Sequence, residues 1–203
     1  MSAAAAGSAL PMLWLVSRAS GLALLAGLSL VMVLGTATRM GAAGQRVPGF
    51  AWEELHRILA LFCVAFLILH VGTAILDPYV SIGWAATVLP FASGYRTLAI
   101  GLGALAVDLG GAVLLTSLAR QRLGYRAWRA VHWLALLAWP AAFAHSLLAG
   151  GDLRIWWAAL IEVSAATAVA TAFVARLIQA VLNRSRHPRR PRYRPAVLDR
   201  RRA

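Results

Sequence analysis

Five stretches of apolar residues, each near the ~20 needed to cross the hydrocarbon core of a bilayer, run through this chain. They cover about Leu13 to Leu34, about Trp52 to Leu76, about Leu98 to Leu118, about Trp128 to Leu148 and about Ile155 to Leu182. A composition of 61% hydrophobic residues is more than a soluble domain carries, since such a domain needs polar residues to face water. The expectation is an all-α integral membrane bundle of about five transmembrane helices. It divides into an N-terminal extension (1–12), a membrane domain (13–182) and a tail (183–203). The N-terminus lacks a basic n-region, so the first apolar block reads as a retained span. Between the second and third blocks, an apolar piece at about 82–91 is too short to span and has Pro78 ahead of it and Pro90 at its far end. That predicts a short interfacial segment.

A formal net charge of +13 would suggest nucleic acid if it were spread over a surface. All 20 basic residues are arginine, however, and nine of them lie between Arg184 and Arg202. A polybasic tail after the last span marks the cytoplasmic side and touches anionic lipid, so the expected surface partner is the bilayer, with no nucleic acid. The tail itself, rich in Arg and Pro, is expected to be disordered. With the tail inside, five spans put the N-terminus outside. The inner loops then carry Arg39, Arg46, Arg57, Arg120, Arg122, Arg126 and Arg129, against Arg18, Arg96 and Arg154 on the outer side, as the positive-inside rule requires. N-out, C-in is the expected orientation. The lone cysteine, Cys63, reads as a small buried apolar residue.

Four of the five histidines fall inside spans: His56 and His70 on the second, His132 and His145 on the fourth. Imidazole is costly in hydrocarbon unless its nitrogens are satisfied. The second and fourth spans run in the same direction, so His56 and His132 lie at one depth, near the inner face. His70 and His145 lie at another, near the outer face. Two pairs at matched depths suit bis-histidine ligation of two b-type haems. At a rise of ~1.5 Å per residue, separations of fourteen and thirteen residues put the two levels roughly 21 and 20 Å apart, near enough for tunnelling between haem edges. The phase is less tidy: fourteen residues return to within about 40° of the starting face, thirteen leave it about 140° away. Pro140 lies between His132 and His145 and is a candidate for a kink. The bland alternative is interhelical hydrogen bonding. Zinc or di-iron would gather ligands, carboxylates included, at one depth.

The pairs in LHRILALFCVAFLILH and WRAVHWLALLAWPAAFAH, with their spacings of fourteen and thirteen, resemble those of the ferric reductase-like transmembrane domain. Ferric reductases, NADPH oxidases and the haem subunit of bacterial methionine sulfoxide reductase share that domain. Arg57 after the first histidine and the TSLARQRLGYRAWRAVHW linker fit the resemblance, which covers about Leu13 to Leu182. It implies two haems b, the inner one held by His56 and His132 and the outer one by His70 and His145. It also makes Arg18 and Arg39 electrostatic partners of the haems, the alternative being that they snorkel to the headgroups. Many family members have six spans and a flavin- and nicotinamide-binding region. This chain has five, and neither its 21-residue tail nor a Gly-rich fingerprint offers a flavin or NAD site. GLGALAVDLGG lies in a span, where glycines permit close packing.

The implied function is a multi-pass cytochrome b of a bacterial plasma membrane, an oxidoreductase component carrying electrons outward. Its donor would be a separate flavin reductase or quinol, and its acceptor a ferric chelate. An alternative is an electron-transfer subunit for a periplasmic reductase resembling methionine sulfoxide reductase; a second is a haem-free scaffold or transporter. Asp108 and Glu162, carboxylates within spans, are expected to be protonated or paired. A proton relay through them and a structural role both remain open.

Overall fold

A computed structural model describes residues 3–40, 48–78, 82–150 and 155–186. The described residues form six α-helices: α1 (Ala3–Arg39), α2 (Gly49–Leu76), α3 (Thr97–Leu118), α4 (Arg120–His132), α5 (Ala135–Gly150) and α6 (Trp156–Arg186). A 3₁₀ turn, Trp84–Thr87, lies between α2 and α3, within the short segment expected at 82–91. Helix α1 runs through most of the N-terminal extension, and α6 carries four residues into the tail. The rest of the tail, with Arg46 and Arg154, lies outside the described residues.

Prolines and glycines set the ends. Pro48 is extended (φ −60°, ψ 145°) and precedes the first turn of α2, where its missing N–H costs nothing. At the other end Asp77 is held extended (φ −71°, ψ 111°), as the residue before a proline must be. Gly124 takes φ 76°, ψ 158° inside α4, a conformation open to glycine, and it separates the first turn of α4 from the stretch that carries His132.

Helices α1, α2, α3 and α6 are each long and apolar enough to cross a membrane, and α4 with α5 is long and apolar enough to make a fifth span if the pair, bent by 45° at its break, is taken together. Packing reverses the pattern of a soluble protein. Ser20, Ser29, Thr36, Ala99, Ala104, Ala141, Ala158 and Ala165 are buried, whereas Ile68, Leu137 and Leu177 point outward at 69%, 60% and 63% exposure. Small residues let the backbones approach closely, while large apolar side chains meet lipid. Helix α1 packs along α2 and also against α5 and α6, and α3 packs along α5.

The break between α4 and α5 accounts for most of the phase mismatch. The break lies at Trp133–Leu134, and α5 continues without interruption through Pro140. Around the break, Leu134, Leu136 and Leu137 donate to carbonyls three residues back, those of Val131, Trp133 and Leu134. A three-residue turn advances about 120° per residue against about 100° in an α-helix. The five steps from His132 to Leu137 therefore add up to roughly 100° of the ~140° by which a regular helix would leave the two histidines out of phase.

Candidate functional site

Helices α1 to α5 surround a cavity of ≈ 1710 Å³, and all four intramembrane histidines line it. His56 faces His132 with ring centroids 6.5 Å apart, and His70 faces His145 at 6.1 Å. The helices α2 and α4/α5 therefore run the same way, and the depth pairing expected from the spacings is present. All four rings are half-buried.

Three of the four rings sit in the same local construction. His70 Nδ1 is 2.8 Å from the Ser17 carbonyl, His56 Nδ1 is 3.1 Å from that of Val31, and His145 Nδ1 is 2.7 Å from that of Ala99. A carbonyl oxygen only accepts, so each Nδ1 carries the proton and each Nε2 is left with its lone pair. Four residues beyond each carbonyl stands a glycine. A Cβ on Gly21 would lie 2.9 Å from His70, on Gly35 3.2 Å from His56, and on Gly103 2.7 Å from His145. Positions i and i+4 share a helix face, so one face supplies both the acceptor and the gap for the ring. Ser17 and Val31 are fourteen residues apart on α1, as His70 and His56 are on α2. The antiparallel register of the two helices thus repeats one contact at two depths.

His132 departs from this scheme. Its Nδ1 is buried without a hydrogen-bond partner among the described residues. A Cβ on Gly110 or Gly111 of α3 would meet no atom within 4 Å, so neither glycine receives a ring. The His132 ring instead lies against Trp128, with centroids 5.0 Å apart and planes at 33°. Trp128 is in turn tied through Nε1–H to the Ser117 hydroxyl at 3.2 Å. Midway between the histidine levels, Trp139 stacks on Phe143 at 5.3 Å and donates to Ser29 Oγ at 2.9 Å. On the facing helix Cys63 is buried, its sulfur against Gly27.

Arginines occupy both ends. Arg18 lines the cavity at the His70–His145 end, stacks over Trp14 at 5.3 Å and donates to the carbonyls of Ala149 and Gly150. Arg96 donates to the carbonyls of Leu148 and Ala149 at 3.2 and 2.8 Å. Together they satisfy the last carbonyls of α5, where a helix end favours cations. Arg39 lines the other end, within electrostatic reach of His132. Arg57 pairs with Glu54 at 2.5 Å on the exposed face of α2. Glu162 is 2% exposed and accepts from the Ser146 hydroxyl at 2.8 Å, while its Oε2 has no partner among the described residues. Asp108 is half-buried and does not line the cavity.

Spacing alone makes the histidines legible, but it misses the residues that seat them. Gly21 and Gly35 carry a usable signal, being separated by the same fourteen residues as His56 and His70. Arg96 gives no comparable signal, because its role depends on reaching across to α5.

The family model described as ferric reductase like transmembrane component matches residues 20–144, more than half of the chain. The match includes His56, His70 and His132 and stops one residue short of His145. No curated protein matches the chain, and no solved structure does.

Proposed function

The chain belongs to the family of ferric reductase-like transmembrane components, and on that premise we propose that it is a di-haem b membrane cytochrome. It carries electrons from a cytoplasmic or quinol donor to an acceptor on the outer side. The observation that carries this reading is the spacing of the two imidazole pairs. With metal–imidazole bonds of about 2.0–2.1 Å and roughly 1.1 Å from nitrogen to ring centre, one ion between two rings places their centroids about 6.3 Å apart. The pairs stand at 6.5 and 6.1 Å.

The donor set favours haem over a protein-ligated ion. No three His, Cys, Asp or Glu side chains gather among the described residues, so each pair offers two donors where a structural zinc needs four. A porphyrin supplies the missing in-plane nitrogens. The cavity of ≈ 1710 Å³ exceeds the roughly 300–1,000 Å³ of a site for one drug-sized ligand, which accords with two tetrapyrroles.

When bound, haem supplies reversible one-electron cycling of its iron. The chain's own residues do the rest. His56 and His132 hold the inner group, and His70 and His145 the outer. The carbonyls of Ser17, Val31 and Ala99 fix the tautomer and raise the basicity of three of the ligands. Arg18 and Arg39 place positive charge near the two ends, and the apolar lining excludes water and sets the potential. Electron transfer of this kind requires no nucleophile or general acid. The orientation proposed is N-out, C-in; a separate flavin reductase or quinol supplies electrons, and a ferric chelate or a periplasmic protein takes them.

The test is an absorption spectrum of the purified protein before and after dithionite. A reduced α-band of low-spin haem b and two haems per chain are expected; a preparation with no such band, made under haem-replete conditions, would rule the reading out. His56→Ala and His70→Ala should each lose one haem of the two. Reduction of ferric chelates by membranes, set against copurification with a periplasmic protein, distinguishes the acceptors.

A further inference from the structure

The four histidines are not equivalent, and the difference falls on one residue. His56, His70 and His145 each donate Nδ1–H to a carbonyl and each press on a glycine of the facing helix. His132 has neither support: its Nδ1 is buried without a partner among the described residues, and no described glycine of α3 receives it. It is also the last residue of α4, directly before the break and the 45° bend. His145, by contrast, lies inside α5 with helix on both sides. We propose that His132 is an exchangeable ligand. In the reduced protein the site it shares with His56 accepts a small neutral diatomic such as carbon monoxide, and the site of His70 and His145 does not. This rests on the haem reading above.

The four rings differ in how firmly each would be held to a metal. A hydrogen bond from the far ring nitrogen orients the imidazole and raises its basicity, and losing such a partner typically costs about 10–100-fold in metal affinity. His132 starts without that contribution, so its bond to iron is the weakest of the four by about that factor. The helix break supplies the freedom to move, because the three-residue turns beyond it are less regular than an α-helix. Trp128 supplies a resting place. Its indole already lies 5.0 Å from the His132 ring and is anchored to Ser117, so a released imidazole keeps an aromatic partner. In the exchange the bond to His132 Nε2 breaks and one to the carbon of the incoming molecule forms. No electron or proton is transferred.

The experiment is a carbon monoxide titration of the dithionite-reduced, detergent-purified protein carrying both haems, read as a reduced-plus-CO minus reduced spectrum. One haem of the two should shift. No shift overturns the proposal, and so does a shift of both. Two double variants assign the site. His70→Ala with His145→Ala should retain a single haem that binds carbon monoxide, and His56→Ala with His132→Ala a single haem that does not. The reverse assignment overturns the proposal. The wild-type stoichiometry decides on its own if a double variant does not assemble. A protein with no reduced α-band would defeat the haem reading as well, whereas intact haem spectra with no response to carbon monoxide defeat only the exchange at His132.

Discussion

Gly103→Ala tests the seating of His145 with a single methyl group. The added Cβ would stand 2.7 Å from His145 Nδ1 and 2.8 Å from its Cε1, where heavy atoms in contact prefer ≈ 3.5–4.0 Å. The ring has to retreat by about 1 Å, and its hydrogen bond to the Ala99 carbonyl, now 2.7 Å, then exceeds the length at which such bonds survive. Overpacking of a filled site typically costs ~1–3 kcal/mol, and stranding a buried donor costs a further ~1–3 kcal/mol. The two overlap, since the same displacement relieves one and causes the other, so a net loss of about 3 kcal/mol is expected. At ~1.4 kcal/mol per tenfold, that is roughly a hundredfold weaker hold on the outer haem. Haem per polypeptide, measured as the pyridine haemochrome, should fall from two towards one, with the inner haem's spectrum unchanged. Gly72→Ala is the control. It stands within α2, outside the lining of the cavity and with no atom within 4 Å, and should gain up to ~1 kcal/mol of helix propensity. Full retention of both haems in Gly103→Ala, with a rate of haem loss equal to that of the control, would refute the reasoning.

Other expectations follow from neighbouring contacts. Ser29→Ala removes the acceptor of Trp139 Nε1–H, 2.9 Å away, and should lower thermal stability by about 1–3 kcal/mol; an unchanged Tm would mean the bond contributes nothing. Gly101→Ala places a methyl 2.7 Å from the Phe91 backbone nitrogen and into the Phe91 ring. Stability should drop more than in Gly103→Ala, since backbone yields less readily than a side chain, while protein that does fold keeps both haems. Glu162→Gln preserves an acceptor for Ser146 and removes any charge from a side chain 2% exposed. Isothermal unfolding in detergent should show stability held within about 1 kcal/mol or raised; a loss of several kcal/mol would show that the carboxylate form is required.

How much of this is readable from the sequence varies from residue to residue. The apolar runs from Leu98 and Ile155 announce α3 and α6, because a span has to be continuously apolar wherever it meets lipid. His56 and His70 announce a site, because an imidazole in hydrocarbon needs a partner. What spacing does not supply is the route from His132 to His145. A regular helix sends those two rings to different faces, and Pro140 is the obvious candidate for any correction. The correction lies instead at Trp133–Leu134, in three-residue turns that nothing in the local residue types announces.

The chain's own residues therefore determined the bundle, the number of spans and the two levels of histidine. Each follows from a property that adds up along one helix: hydrophobic length and rise per residue. Tertiary structure decided which carbonyl and which glycine meet each ring. That depends on the antiparallel register of α1 against α2 and of α3 against α5, a relation between helices that no single helix encodes. It is also why three histidines are held by the same device and His132 is not: past the break, α4 no longer follows the register that α5 keeps with α3.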